Sequence, residues 1–374
     1  PGWDHWFAHL HAHGDYYDYT VSHNGKGRRF RERNRAYATR VINRKAERWV
    51  KRLAKRRRPL YLQIEHVAPH TQVGRRSKEY WPPCTRAPMP DPQEQDRKRL
   101  RGPFPRPPSF NEKNVKDKPK LARTPGSLPR IGAEDRKKIR QRFRCAVTAL
   151  RGVDRGVKIL YEALKGHGEW DDTVVIFTSD NGYLHGEHRI PRGKLFPYEP
   201  VLHMPLIIRV PKKFLDGNQR VGSISKPVAN IDIAPTILEL AGADSCEGDK
   251  CRVMDGRSLL DLLKGDESAW PADRALVVER RTRCRIRGLR ASRHQLIVHK
   301  AKWRSGRCII NRSRAGELYD LDNDPFQLRN RYRAPRETPD GRLRREMEER
   351  LAKLQDCAGI EGRDPVPASG VYCE

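Results

Sequence analysis

A long amphipathic helix that runs straight into an apolar strand constrains this chain more than any other feature. From Glu134 toward Gly166, Ile139, Phe143, Val147, Leu150, Val153, Val157, Leu160 and Leu164 recur at steps of three and four, which lines them up on one helix face. Gly166 and Gly168 end the pattern. Asp171 and Asp172 follow as turn residues, and Thr173-Val174-Val175-Ile176-Phe177-Thr178 then reads as a strand without polar alternation. A helix feeding a fully apolar strand is the pattern of a parallel sheet covered on both faces, so an α/β architecture is expected. Residues 205–210 supply a second such strand. Residues 231–241 read as a helix with Pro235 in its first turn and Gly242 at its end, and 258–263 as a shorter one.

The flanking segments extend this frame. Tyr16-Tyr17-Asp18-Tyr19-Thr20 is a short strand candidate, and 34–57 a basic helix stopped by Pro59. Leu60-Tyr61-Leu62-Gln63-Ile64 reads as a buried strand that ends in Glu65-His66-Val67-Ala68-Pro69-His70. Residues 82–130 carry 12 of the 28 prolines and are expected to form a long loop inserted within one domain. Beyond residue 270 the pattern changes. Residues 275–279, 283–289, 295–298 and 318–321 are short strands without intervening helices, followed by a helix over about 343–354. We expect a main α/β part over 1–270 and a small antiparallel sheet with one packed helix over 271–374.

Charge and cysteines bound the function classes. Lys plus Arg is 77 and Asp plus Glu is 47, so the formal charge is 77 − 47 = +30 in 374 residues. Such a chain attracts polyanions, but the arginines are spread over its whole length, as a background composition also produces. No recognised nucleic-acid motif or aromatic-interleaved basic strand appears, so no specific nucleic-acid partner is expected. No run approaches the ~20 apolar residues of a membrane span, and no basic-then-apolar leader opens the sequence. The start, Pro1-Gly2-Trp3-Asp4, lacks an initiator Met, and a preceding segment is expected. The eight cysteines form no Cys-x-x-Cys pair; Cys246 and Cys251 could close a small loop or remain free thiols.

Three segments carry candidate chemistry, each in a loop after a strand, where open α/β sheets bind ligands. Thr178-Ser179-Asp180-Asn181-Gly182 sets a carboxylate beside an amide oxygen, both hard ligands suited to calcium or magnesium. The same letters also make an ordinary turn. Gly186-Glu187-His188-Arg189 and Gly193-Lys194 follow closely, and cations beside a divalent metal could hold a sulfate or phosphate ester. Ala68-Pro69-His70 places a His able to bind an anion or move a proton.

With these segments in order, the chain resembles the sulfatase family of alkaline-phosphatase-like fold, and its glucosamine-6-sulfatase and arylsulfatase branch. Tyr17-Asp18-Tyr19-Thr20 with Asn24-Gly25, Ala68-Pro69-His70, Thr173 to Gly182, Gly186 to Arg189, Gly193-Lys194, Tyr198-Glu199, Asn230 to Thr236, Asp255 to Leu259 and Glu317 to Leu321 follow the family in order and spacing. The resemblance implies a mixed, mostly parallel sheet flanked by helices, with the small antiparallel sheet and helix at the C-terminal end. It implies hydrolysis of a sulfate ester on a small molecule or glycan, with one calcium ion (Ca2+) bound by Asp180 and Asn181. His70 and Lys194 match residues that grip the sulfate and assist the departing alcohol oxygen, and His188 matches a position near the substrate. An exported location is implied as well. Phosphoester or phosphonate ester hydrolysis on the same fold, and a catalytically silent polyanion binder, remain as alternatives.

One departure matters. The family nucleophile is a formylglycine made from Cys in a Cys-x-Pro-x-Arg motif, and no such motif occurs; Cys84-Thr85-Arg86-Ala87-Pro88 has the wrong order. The paired Asp residues of the family metal site are also missing, and both features are expected upstream of Pro1. The 374-residue polypeptide alone is therefore expected to release no sulfate from an aryl sulfate. Turnover by that chain in a sulfate-release assay would overturn the expectation.

Overall fold

The structure, a computed structural model, describes residues 2–10, 15–31, 36–56, 58–71, 84, 88, 104–120, 125–217, 221–247, 250–280, 286–304, 307–354 and 356–374. The chain divides into two compact units, residues 1–105 with 132–173, and residues 106–131 with 174–374.

In the first unit, strands β1 (Phe7–His9), β2 (Tyr19–His23) and β3 (Lys26–Phe30) form an antiparallel sheet in that order. Two helices accompany it, α1 (Ala38–Leu53) and α2 (Ala133–Gly166). The basic helix expected over 34–57 is therefore present, with residues 34, 35 and 57 outside the described set. The two helices meet at a pair of glycines spaced i, i+4. Gly152 faces Thr39, and Gly156 faces Asn43 so closely that a Cβ there would stand 2.3 Å from the Asn43 Oδ1. Asn43 is buried, so its amide must be satisfied inside the interface. Its Nδ2 donates to the Gly152 carbonyl at 2.9 Å, and its Oδ1 lies 2.7 Å from His66 Nε2. An amide oxygen only accepts, so His66 carries its proton on Nε2. Burial pushes the His66 pKa down to about 4, which keeps the ring neutral near pH 7. A disulfide from Cys84 to Cys145 of α2 joins a cluster that includes Tyr16, Tyr37, Ala149 and Val153.

Residues 60–66 do not form the expected buried strand. No ladder is formed there among the described residues, and Leu60 and Tyr61 are exposed. The apolar letters supplied the strand signal, but no described neighbour supplies its hydrogen bonds.

The second unit contains β4 (Val175–Thr178), α3 (Glu199–Leu202), β5 (Leu206–Arg209), α4 (Ile233–Leu240), β6 (Cys246–Glu247), β7 (Lys250–Cys251), α5 (Leu260–Lys264), β8 (Leu276–Arg280), β9 (Ile286–Arg290), β10 (His294–Arg304), β11 (Arg307–Asp320) and α6 (Pro339–Leu354). Helix α2 does lead into β4, yet the ladder between β4 and β5 is antiparallel. Val174 and Ile208 pack with Val210, Leu215 and Leu260, whereas the cross-strand pair Phe177 and Ile207 stays 39% and 62% exposed. The absence of polar alternation thus misled about burial of this pair on both faces.

The C-terminal sheet follows its sequence. Strands run antiparallel in the order β11-β10-β9-β8. Period-two alternation divides the faces. Leu296, Val298 and Leu318 join Met347, Leu351 and Leu354 of α6, while Ile297, Tyr319 and Ile286 join Leu184, Ile190 and Tyr198 from the loop after β4. The expected start of a strand at residue 283 lies outside the described residues. Cys246–Cys251 and Cys357–Cys373 are disulfides, so the first of these pairs resolves the alternative left open by spacing. Of the expected loop 82–130, the described parts include the 3-10 turn Pro125–Ser127 and an isolated bridge from Phe110 to Glu187.

The glycine pair yields a test. Gly156→Ala should destabilise by about 1–3 kcal/mol through overpacking against Asn43, despite the ~1 kcal/mol gained from better helix propensity. In an Asn43→Ala background the same change should become neutral or stabilising. Urea unfolding of the four proteins in a double-mutant cycle measures that sign reversal.

Candidate active site

Strand β4 ends at Thr178, and the chain turns through Ser179, Asp180, Asn181 and Gly182. Gly182 allows the backbone to press against α3. A Cβ there would lie 2.0 Å from the Pro200 carbonyl, while Gly182 N donates to Val201 O and Tyr183 N to Pro200 O. Asn181 Nδ2 donates to the Gly182 carbonyl at 3.0 Å, which turns Oδ1 the other way. Lys194 Nζ donates to that Oδ1 at 2.7 Å and lies 3.7 Å from Asp180 Oδ2. Asp180 is 82% exposed and Lys194 38%. The structure thus brings together three of the residues singled out by sequence: a carboxylate, an amide oxygen and an ammonium.

Lys194 returns to this position because the intervening loop is closed at its neck. Leu184 N donates to Gly193 O at 2.9 Å, in an isolated antiparallel bridge. Inside the loop the chain takes left-handed backbone at Gly186 (φ 115°), His188 (φ 51°) and Arg189 (φ 64°). Such conformations persist in non-glycine residues only when their surroundings fix them. Here segment 106–131 does so. His188 N donates to Ser109 O, and Arg189 donates to the carbonyls of Glu112, Lys113 and Leu128. The His188 ring is buried, with Nδ1 2.8 Å from Glu112 Oε2 and its face 4.2 Å from the Tyr198 ring. Glu112 also accepts from the fully buried Lys118 at 2.9 Å. Tyr198 and Tyr319 hydroxyls donate to Glu317, and His299 Nε2 lies 2.8 Å from its other oxygen. Burial alone would raise the Glu317 carboxyl. The His299 contact and the two tyrosine hydrogen bonds outweigh burial and hold it below the usual value.

His188 is therefore a buried, hydrogen-bonded ring in this structure. His70 belongs to the first unit. Its side chain is exposed, and its own carbonyl accepts from Tyr16 Oη at 2.8 Å. Its Nδ1 is 2.9 Å from the Thr71 carbonyl, so Nδ1 is the donor and Nε2 the ring's other functional atom. Sequence reasoning missed Glu112, Lys118 and Glu317 as supports. Glu112 and Lys118 sit in a proline-rich stretch without periodicity, and Glu317 was visible only as a member of Glu317-Leu318-Tyr319-Asp320.

Asp180 and Asn181 suit calcium in kind, because both offer hard oxygen and the Lys194 ammonium already responds to their negative potential. In number they are two donors toward the roughly six to eight oxygens calcium takes. No group of three or more His, Cys, Asp or Glu side chains converges among the described residues. The two oxygens lie side by side and are bridged by the Lys194 ammonium.

A sequence model of the Sulfatase family matches residues 2–243, and one described as N-sulphoglucosamine sulphohydrolase, C-terminal, matches 186–357. An arylsulfatase of Volvox carteri is 29% identical over 357 residues, 88% of this chain and 52% of the relative. The N-acetylglucosamine-6-sulfatase of Homo sapiens is 29% identical over 391 residues, 97% of this chain and 64% of the relative. The chain thus spans about half to two thirds of the length of these relatives. A protein solved in complex with its substrate D-glucosamine-2-N,6-O-disulfate superposes with a TM-score of 0.70 at 24% identity, covering 95% of this chain and 76% of its own. The fold is the alkaline-phosphatase-like α/β fold, with the small C-terminal antiparallel sheet in place.

Support and chemistry separate in a way that stability can test. Glu112→Gln removes the counter-charge of a buried lysine and should cost about 3–5 kcal/mol. Asp180→Asn, at an exposed position, should change stability by less than about 0.5 kcal/mol. Denaturant midpoints of the two variants check this contrast.

Proposed function

This chain belongs to the sulfatase family, and from that premise we propose that it carries the ester-gripping part of a sulfuric ester hydrolase that acts on a sulfated sugar. The observation that carries the reading is the Lys194 ammonium held 2.7 Å from Asn181 and 3.7 Å from Asp180, immediately after β4. Sugar sulfate is favoured by the substrate of the superposed structure and by the name of the human relative.

The proposed roles follow from the chemistry of each group. Asp180 and Asn181 would hold a calcium ion, whose double charge, when bound, polarises a sulfate oxygen. A second cation cannot share one carboxylate and one amide oxygen with the Lys194 ammonium without repulsion. Lys194 would then face an incoming anion. The ammonium binds a sulfate oxygen and offsets charge on the departing alcohol oxygen. For His70 the proposed role rests on its resemblance to a sulfate-gripping residue, and Nε2 is the ring atom that its Thr71 contact leaves for an anion or a proton. His188, matched by resemblance to a position near the substrate, acts here through Glu112 and Tyr198 as a positioning residue. None of the eight cysteines stands in a Cys-x-Pro-x-Arg motif, so this chain supplies no formylglycine. The catalytic part is assigned to residues 1–270, with 271–374 supporting it.

The location we propose is an oxidising, extracytoplasmic one. Three disulfides among the described residues support it, because such bonds are rare where thiols are kept reduced. No described helix is long and apolar enough to cross a membrane.

Calorimetric titration of the 374-residue chain tests the reading. Calcium should bind, and Asp180→Ala should weaken it at least tenfold. With calcium present, N-acetylglucosamine 6-sulfate should bind and unsulfated N-acetylglucosamine should not, and Lys194→Met should weaken the sulfated sugar at least tenfold. Equal binding of the two sugars, or indifference to both substitutions, would sink the assignment.

A further inference from the structure

A group of cations crowds together in the first unit. Lys45, on α1, places Nζ 2.9 Å from His23 Nε2, 4.9 Å from the Trp49 ring centroid and 5.5 Å from that of Phe7. His5 stacks on Trp49 with centroids 5.8 Å apart, and Arg52 reaches His5 Nε2 at 2.9 Å. Along α1, Lys45, Arg48 and Arg52 fall within about 10 Å of helix rise. The crowding is visible in protonation. Burial first, then the charges of Lys45, Arg28, His5 and Arg48, lower the His23 pKa. Burial, then Arg48, Arg52 and Arg28, lower that of Lys45. Of the acids on these elements, Glu47 is engaged by Lys51 at 2.6 Å, and Asp4 lies between Trp3 and His5.

The same unit also presents a group of exposed aromatic rings, two of them flanking His5 in the chain. Trp3, Trp6 and Tyr61 are 45%, 44% and 54% exposed, and the Trp3 ring lies 6.0 Å from Trp6 and 5.6 Å from Tyr61. Grouped open aromatics of this kind mark interaction surfaces more often than chance exposure does. Indole and phenol faces take the C–H face of a pyranose ring, and the neighbouring ammonium and guanidinium groups take its anionic substituents.

We propose that this face binds a sulfated glycan chain, the cations of α1 holding sulfate groups while Trp3, Trp6 and Tyr61 pack against sugar rings. It is a surface of the first unit built from residues other than Asp180, Asn181 and Lys194. The choice of a sulfated glycan over a nucleic acid rests on the sugar-sulfate reading above and on the disulfides, which belong to compartments where sulfated glycans are the ambient polyanions.

The test uses the 374-residue chain and a heparin octasaccharide, with a hyaluronan octasaccharide and a single-stranded DNA 12-mer as competitors. Arg48→Ser/Arg52→Ser should weaken heparin binding at least tenfold and flatten its salt dependence. Trp3→Ala/Tyr61→Ala, at exposed positions, should weaken it at least fivefold and remove the tryptophan fluorescence change on binding. Arg342→Ser/Arg345→Ser on α6 removes the same charge elsewhere and should change affinity no more than twofold. Asp180→Ala should leave heparin affinity within twofold, so failure of the ester site and failure of this surface are told apart. Equal losses in the α1 and α6 variants would reduce the effect to diffuse charge and overturn the proposal. DNA or hyaluronan binding as tight as heparin would overturn the class of partner.

Discussion

The backbone bridge between Leu184 and Gly193 is the constraint on which the candidate site depends. Lys194 lies thirteen positions after Asn181, and an open loop of that length would let the ammonium wander. The bridge closes the loop at its neck and returns Lys194 to the end of β4. It holds because Leu184 is fully buried against Ile190, Tyr198 and the C-terminal sheet. A local hydrogen bond thus acquires its strength from apolar packing contributed by strands more than a hundred residues later. The small antiparallel sheet is in this sense part of the site's foundation.

Buried charge in this protein does structural duty, whereas Asp180 and Lys194 of the candidate site are exposed. Asp232 and Arg274 form a fully buried pair, and Asp232 also accepts the backbone N–H groups of Ala229 and Arg257. Glu112, Lys118 and His188 form a second buried group, and Glu317 with its two tyrosines and His299 a third. Each is satisfied by several partners, as ionised groups in low dielectric must be. Asp180, by contrast, is open to solvent with an ammonium 3.7 Å away. Its partner can be exchanged at little cost, which a ligand-binding carboxylate requires.

The sequence motifs that carried the family resemblance sort along the same line. Asp180, Asn181 and Lys194 stood out as polar residues following an apolar strand, and the structure brings them together. Other motif positions prove to be architecture. Tyr198 and Glu199 bind Glu317 and Arg290, Asp232 anchors a turn, and Gly256 lies so near the Ile231 carbonyl that a Cβ would stand 2.1 Å away. Helices α1, α2 and α6 were readable from periodicity, but α2 buries Cys145, Ala149, Gly152, Gly156 and Ala163 along with Ile139 and Val153, and leaves Leu150 and Val157 of the expected stripe exposed. The β4–β5 ladder was not, because Val, Ile and Phe fit parallel and antiparallel pairing equally and pairing direction is set by the neighbour. The support of the site by segment 106–131 was equally invisible, since irregular backbone held by scattered carbonyl contacts has no period to detect.

The charge of +30 also resolves into two populations once partners are known. Many arginines act as internal staples. Arg189 ties three carbonyls, Arg350 joins Asp273 and Glu374, and Arg363 reaches Gly256 O. The planar, multiply donating guanidinium suits this work in a chain rich in loops, whose carbonyls need donors that no helix or ladder provides. Composition alone therefore overstates the charge available to a partner. The cations around Lys45 differ in kind: Lys45 lies against His23 and the rings of Trp49 and Phe7, and burial, then the charges of Arg48, Arg52 and Arg28, lower its pKa. Mutual repulsion there is a standing cost that a bound polyanion would relieve, and the aromatic faces beside them narrow that polyanion to one with flat apolar surface between its charges.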